Sequence, residues 1–247
     1  MSERRARTAR RSGRARSQHF LRRSVAAELV RDSGIGPDDL VVDLGAGSGR
    51  LTAELARAAR GVVAVELDPH LADRLGGRWS NVEVVQADAG TVHLPSEPFR
   101  VVANLPFDRT NDILGHLLDD PLLPLVRADL VVEWGVAVKR AVPWPSSIKG
   151  VLWGASHAIT LARRLPRSAF EPSPAVDAGV LVFARRAEPL VPLERADEYG
   201  RFVASGFRRG LRAVASRRAL GRVGVSGANA RDLDAHQWAA LYAAARR

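Results

Sequence analysis

The stretch Leu40-Val41-Val42-Asp43-Leu44-Gly45-Ala46-Gly47-Ser48-Gly49 decides the fold class. Five residues of mostly apolar character, with no polar alternation, describe a short strand buried on both faces. The glycines that follow let the backbone turn sharply and let a ligand approach with no Cβ in the way. A helical pattern over 51–59 comes next. Strand, glycine turn and helix in that order open a parallel α/β sheet. The Gly-Lys-Ser/Thr ending of a phosphate-binding P-loop is missing. The glycines run G-x-G-x-G rather than in the G-x-G-x-x-G dinucleotide spacing.

The same grammar continues outward. Upstream, 24–33 reads as a helix with Val25, Leu29 and Val30 on one side, broken by Gly34 and Gly36-Pro37. Downstream, strands are expected over 61–66, 82–86, 99–103 and 129–134, and near 158–165 and 179–184. Helices are expected over 69–76 and 111–118. Alternating strands and helices predict a mostly parallel sheet covered on both faces. From Ala187 the strand pattern ceases. Pro189 and Pro192 mark a linker, and 194–209, 211–220 and 234–246 read as short helices rich in arginine and alanine. The expected organisation is therefore a basic tail over 1–16, disordered when free, an α/β domain over 17–186 and a small helical domain over 187–247.

Charge follows these boundaries. The 247 residues carry a net charge of +10. Residues 1–16 hold seven arginines against Glu3, and 185–247 hold thirteen arginines against six acids, so the body between them is mildly acidic. Basic ends on an acidic body suit a core that handles a small cofactor, flanked by segments that neutralise phosphates. The chain has no cysteine, which excludes disulfides, thiolate metal sites and a cysteine nucleophile and suits a reducing cytosol. No apolar run approaches membrane-spanning length, and the basic N-terminus has no apolar segment of the secretory kind behind it. No metal site and no membrane partner are expected.

Four chemistry-bearing features fall at the carboxyl ends of the first four strands, where ligands bind in open α/β sheets. The glycine turn is the first. Glu66, in Val65-Glu66-Leu67-Asp68, is a carboxylate able to accept both ribose hydroxyls of an adenosine-containing cofactor, with Asp68 before Pro69 as a helix cap. Asp88 can take the amino group of an adenine while the Ala89 N–H meets a ring nitrogen. The fourth is Val101-Val102-Ala103-Asn104-Leu105-Pro106-Phe107. There the Asn104 amide can accept from an amino group, Pro106 holds the Leu105 carbonyl in an extended setting, and Phe107 offers a flat stacking face. Singly, each has a bland reading as a turn or cap; together they are far more specific.

With these residues in place, the chain resembles the rRNA adenine N(6)-methyltransferases, the group containing the erythromycin-resistance (Erm) enzymes and the KsgA-type 16S rRNA dimethyltransferases. The resemblance covers 17–186. It rests on Ser17-Gln18-His19-Phe20-Leu21, the loop 43–49, Glu66, Asp88, 104–107, and Phe170-Glu171-Pro172-Ser173-Pro174-Ala175-Val176-Asp177. It implies a Rossmann-like class I methyltransferase fold with a seven-stranded, mostly parallel sheet whose last strand is antiparallel, followed by a small α-helical C-terminal domain. It implies S-adenosylmethionine as cofactor, bordered by His19, Leu21, Gly45, Gly47, Glu66, Asp88, Ala89 and Asn104. Asn104, Leu105, Pro106 and Phe107 would be catalytic, and Phe107 and Phe170 would hold the substrate base. The chain departs from the group's usual residues at His19 (Asn), Ala178 (Ser) and Asp43 (Glu).

Asn-Leu-Pro-Phe followed by Asp-Arg-Thr-Asn-Asp-Ile-Leu looks more like Erm than KsgA, as do the arginine-rich tail and the basic helical end. The implied activity is methylation of an adenine amine in the peptidyl-transferase loop of 23S rRNA, with resistance to macrolides, lincosamides and streptogramin B. The enzyme would be a cytoplasmic monomer. The alternatives are KsgA-like dimethylation of 16S rRNA and a catalytically silent rRNA-binding or assembly factor. The base must leave its stack to react, which is cheapest in a loop or bulge. No general base is needed, and His93 and His116 are expected to be surface or capping residues. Trp134, Trp144 and Trp153 are expected to pack in the core or at an interface.

Overall fold

The computed structural model describes residues 19–144 and 146–246. The basic tail and the Ser17-Gln18 part of the matching stretch lie outside the described residues. In chain order the principal elements are β1 (Phe20–Leu21), α1 (Arg23–Ser33), β2 (Leu40–Leu44), α2 (Arg50–Ala58), β3 (Gly61–Glu66), α3 (Pro69–Leu75), β4 (Val82–Gln86), β5 (Phe99–Asn104), α4 (Thr110–Leu118), β6 (Leu125–Glu133), α5 (Trp134–Ala141), α6 (Ile148–Ser156), β7 (His157–Leu165), β8 (Phe170–Glu171), β9 (Ala178–Arg185), α7 (Ala196–Arg209), α8 (Arg217–Val223) and α9 (Ala235–Ala245).

Seven strands form one sheet in the order β4-β3-β2-β5-β6-β9-β7. Pairings from β4 through β6 are parallel, and β9 is antiparallel to both of its neighbours. This is the Rossmann-like methyltransferase sheet that the resemblance implies. β2 is buried from Val41 to Leu44 and splits its side chains by the two-residue period of a strand. Val42 and Leu44 enter the core on one face with Ile113 and Leu117 of α4. Val41 enters the other with Leu29 of α1 and Leu55 of α2. The chain order reverses beside β2, which has β3 on one side and β5 on the other. The crevice at such a switch point is where an open α/β sheet binds its ligand.

A third core joins the C-terminal helices: Tyr199, Val203, Leu220, Trp238, Leu241 and Tyr242 pack together with Val151 and Ala155 of α6. Two sequence expectations need correction. The fifth strand was placed at 129–134 but spans Leu125–Glu133, and Trp134 opens a helix. Arg127 and Asp129 hide the strand's start by interrupting the apolar pattern, and they neutralise each other through two hydrogen bonds of 2.7 and 2.8 Å. The helix expected over 211–220 is α8, because the Ser216 side chain accepts from the Ala219 N–H and starts the helix there. Of the three tryptophans, Trp153 is buried and Trp134 half-buried, but Trp144 is 53% exposed. α5 and α6, around it, were not foreseen.

Candidate active site

A cavity of about 260 Å³ opens at the carboxyl ends of β2, β3, β4 and β5. Its wall includes Gly45 and Gly47, Glu66, Asp88 and Ala89, and the whole of Asn104–Phe107, so all four features converge on one site. The glycine turn makes the approach possible. Gly45 (φ 80°) and Gly47 (φ 58°) are left-handed, a region where a side chain is strained. The N–H groups of Gly45 and Ala46 both donate to the Val65 carbonyl, at 2.8 and 2.9 Å. A Cβ on Gly45 would lie 3.5 Å from Cδ of Pro106, which puts the turn in contact with the Asn-Leu-Pro-Phe segment.

Glu66 is 7% exposed, and its oxygens accept from the Gly47 N–H at 2.7 Å and the Asp68 N–H at 2.8 Å. Each carboxylate oxygen has a second lone pair, so both can also receive hydroxyl groups. The Asp68 side chain caps α3, as expected, by accepting from the His70 N–H. Asp88 accepts from the Gly90 N–H at 2.8 Å and forms a two-pronged ion pair with Arg109, at 3.0 and 3.2 Å. That pair engages the oxygens assigned to an adenine amine, and sequence reasoning missed it. Its signal was the Arg in Asp108-Arg109-Thr110, just beyond the motif.

Asn104 ends β5. Its Nδ2–H donates to the main-chain carbonyl of His19 at 2.7 Å. Because that carbonyl can only accept, the amide orientation is settled, and Oδ1 is left buried with no partner among the described residues. One residue on, the Leu105 N–H donates to the Val131 carbonyl of β6 at 3.0 Å, holding the segment against the sheet while the Leu105 side chain is buried. The Pro106 carbonyl accepts from the Arg109 N–H and from Oγ1 of buried Thr110, turning the chain into α4.

Phe107 is half-buried in the cavity wall. Its ring meets Phe170 edge to face (6.5 Å, 80°) and lies 6.1 Å from the His19 ring. Phe170 itself is 1% exposed and outside the cavity wall. It therefore braces Phe107 from behind and does not present a second stacking face. Leu21 is likewise buried behind the wall, and β1 pairs with β8 to hold this corner together. Phe20, to which the sequence reading gave no role, lies so close to Gly47 that a Cβ there would be 2.7 Å from its ring. His19 presents its main chain to Asn104, while its Nδ1 lies 3.1 Å from the Pro172 carbonyl.

Asp43 sits beneath the site, 1% exposed, with Thr52 Oγ1–H donating to it at 2.7 Å. Burial, reinforced by Glu66 and opposed by the Thr52 bond, pushes its pKa up to about 7. The cavity wall carries Glu66, Asp68, Asp88 and Asp108 against Arg109. A negative lining with hydroxyl and amine acceptors fits a cationic sulfonium bearing adenosine. Among the described residues, no group of three or more His, Asp or Glu is placed to hold a metal ion, and no helix is long and apolar enough to cross a membrane.

Comparison with known proteins agrees with this geometry. Residues 11–229 match the ribosomal RNA adenine dimethylase family. The chain is 36% identical to an rRNA adenine N-6-methyltransferase of Corynebacterium diphtheriae, over 73% of this chain and 70% of that protein. It is 35% identical to the mycinamicin-resistance protein MyrB of Micromonospora griseorubida, over 87% of this chain and 72% of that protein. The crystal structure of the 23S rRNA methyltransferase ErmE superposes with a TM-score of 0.78 at 31% identity, covering 92% of this chain and all of that one. The chain belongs to the ribosomal RNA adenine dimethylase family and is an S-adenosylmethionine-dependent rRNA adenine N(6)-methyltransferase.

Proposed function

We propose that this enzyme methylates the exocyclic amine of one adenine in the peptidyl-transferase loop of 23S rRNA, and that the modification confers resistance to macrolides, lincosamides and streptogramin B. The observation that carries the reading is the buried, unpartnered Oδ1 of Asn104 at the edge of the cavity shared with Glu66 and the glycine turn. Burying an acceptor without a donor costs about 1–3 kcal/mol, and an incoming amine relieves that cost. The large-subunit target is supported by the Erm-like continuation of the motif and by the relatives named for 23S methylation and mycinamicin resistance.

The adenine amine is a poor nucleophile because its lone pair is delocalised into the ring. Asn104 Oδ1 and the Leu105 carbonyl accept its two hydrogens, which favours a pyramidal nitrogen with the lone pair directed at the methyl donor. S-adenosylmethionine, when bound, supplies an electrophilic methyl on a positively charged sulfur. Glu66 receives the ribose hydroxyls, the glycine turn borders the methionine portion, and Ala89 with Asp88 borders the adenine of the cofactor. Phe107 stacks on the flipped base and recovers part of the cost of unstacking. The work of the protein is alignment. No histidine other than His19 lines the cavity, and the amine becomes acidic only as the methyl arrives, so no base is needed beforehand. The enzyme acts as a cytoplasmic monomer.

The test is ribosomal RNA from cells expressing the protein or its Asn104→Ala variant. Mass spectrometry of rRNA fragments should find methylated adenine in the peptidyl-transferase loop for the parent only, with macrolide resistance following the mark. Methylation confined to 16S rRNA rejects the target. Resistance undiminished in the variant rejects methyl transfer as its cause.

A further inference from the structure

A second cavity, of about 170 Å³, lies where the end of α5, the helix α6 and the start of α9 meet. Its wall brings together Lys139 and Arg140 of α5, His157 at the start of β7, Arg186 beyond β9, and His236 of α9. Among the described residues Lys139, Arg140 and Arg186 form no ion pair, and Arg186 instead donates to the Gly154 carbonyl at 3.0 Å. The one carboxylate in the wall, Asp234, caps α9 by accepting from the Gln237 N–H. Two polar atoms at this cavity are buried with no partner among the described residues: Nε of Arg140 and Nε2 of His157, the latter on a residue 1% exposed. Burial, with Arg185 close by, holds the His157 imidazole neutral by pushing its pKa down to about 4. Ser156 Oγ–H donates to the Trp153 carbonyl at 3.3 Å, so His157 gives its one N–H, on Nδ1, to Ser156 Oγ at 3.0 Å and offers the cavity no donor. Three cations with no carboxylate partner, one of them with an unbonded Nε–H, leave an unbalanced positive wall suited to a phosphate.

Two further facts say which phosphate. Val142, Pro143, Ser146 and Ser147, between α5 and α6, belong to the wall, and Trp144, next in the chain to Pro143 but outside the wall, is 53% exposed. An exposed aromatic face beside unpaired cations is the pairing by which proteins hold single-stranded nucleic acid. Arg140 also donates to Asn111 Oδ1 at 2.7 Å. Asn111 lies in the first turn of α4, two residues after Arg109 of the active-site wall, so the second cavity is fastened to the helix that leaves the catalytic segment.

We propose that this cavity takes a phosphodiester of the substrate RNA, with Trp144 stacking a base beside it, so that a nucleotide flanking the target adenine is clamped while the adenine enters the active site. The inference rests on the rRNA-methylation reading above. It adds a positioning site on the α5–α6 loop that the catalytic motif does not contain.

The test uses the full-length enzyme and a synthetic RNA hairpin carrying the peptidyl-transferase loop sequence. Both methyl transfer and equilibrium RNA binding are measured. Trp144→Ala should raise the KM and Kd for the hairpin about tenfold, the loss of one base–aromatic stack, and Trp144→Phe should restore most of it. Lys139→Ala should weaken binding and reduce the slope of log Kd against log salt by about one phosphate contact. The KM for S-adenosylmethionine should not move in these variants, and Arg74→Ala, at an exposed arginine in the wall of neither cavity, should leave RNA binding unchanged. RNA affinity unaltered in both Trp144→Ala and Lys139→Ala overturns the proposal. So does a Phe variant no better than Ala. An effect of Lys139→Ala confined to inhibition by inorganic phosphate overturns the RNA assignment and makes the cavity a free-phosphate site. Because binding is measured separately, a parent protein that binds the hairpin but does not methylate it contradicts the proposed function while the clamp is still judged.

Discussion

Asp43→Asn should make the protein more stable at pH 8 and no more stable at pH 5, and the magnitude follows from where the carboxyl sits. It is 1% exposed, and burial pushes its pKa from 3.8 to about 7 despite the Thr52 hydrogen bond. A carboxyl whose folded pKa is raised binds its proton more tightly in the folded state. Stability is therefore highest below pH 3.8 and falls as pH rises toward 7. At about 1.4 kcal/mol per pKa unit, the whole window is worth about 4 kcal/mol. Asparagine is neutral throughout and still offers Thr52 an acceptor. Its NH₂ replaces a buried oxygen, and an unsatisfied donor there costs about 1–3 kcal/mol. A net gain of about 1–3 kcal/mol at pH 8 remains.

The parent's own pH profile is a poor readout. His157, pushed down to about 4 from 6.5, makes the opposite contribution: the unfolded chain binds its proton first, so stability is lost as pH falls from 6.5 toward 4. That window is worth about 3 kcal/mol and nearly cancels the Asp43 slope. The difference between variant and parent removes His157, which both share. Urea unfolding of the ligand-free proteins at pH 5, 6, 7 and 8 should give a difference that grows with pH and levels off above 7. A difference independent of pH would refute the reasoning, because it would mean the carboxyl ionises as readily inside the fold as outside.

Gly47→Ala should cost about 1–2 kcal/mol of stability for the left-handed backbone alone. It should also weaken S-adenosylmethionine binding by more than tenfold, since its Cβ would lie 2.7 Å from the Phe20 ring; calorimetry on the variant checks both. Glu66→Gln puts an NH₂ group against one of two backbone N–H donors, and a lost charge-assisted bond of about 1.5–3 kcal/mol should appear in thermal unfolding together with weaker cofactor binding. Asn104→Ala should reduce turnover on the order of 100-fold, the effect of deleting one aligned polar group in an active site, with RNA binding retained in a filter assay. His19→Ala keeps the carbonyl that Asn104 uses, so its turnover should fall by no more than about threefold. A loss as deep as that of Asn104→Ala would give the imidazole a role of its own.

The sheet was legible because its strands are short, apolar and punctuated. The runs 40–44, 61–66 and 82–86 coincide with the observed strands, and Asp68 caps the helix it was expected to cap. The site was legible through position: a chemistry-bearing residue at each strand end needs no knowledge of side-chain contacts. What stayed hidden depends on contacts made across the chain. Arg127 and Asp129 read as a polar interruption until their pairing is seen. Phe170 reads as a stacking face, yet β8 pairs with β1 and buries it. Trp144 reads as a core or interface residue because tryptophan usually packs; nothing local shows that it is 53% exposed.

At His19, where the family pattern has asparagine, the contact with Asn104 is made by the main chain. The usual asparagine and this histidine differ in every side-chain donor and acceptor. The group that grips the Asn104 amide, however, is the carbonyl of residue 19, which every amino acid supplies. What residue 19 must do is place that carbonyl 2.7 Å from Nδ2. The placement is held by its neighbours: Phe20 and Leu21 pair with Phe170 and Glu171, and the Arg22 N–H donates to the Ala169 carbonyl at 2.8 Å. The two-stranded corner therefore fixes which end of the Asn104 amide is bonded to the chain and which is left without a partner. Loosening β1 from β8 should impair methyl transfer even though neither strand contributes a reacting atom.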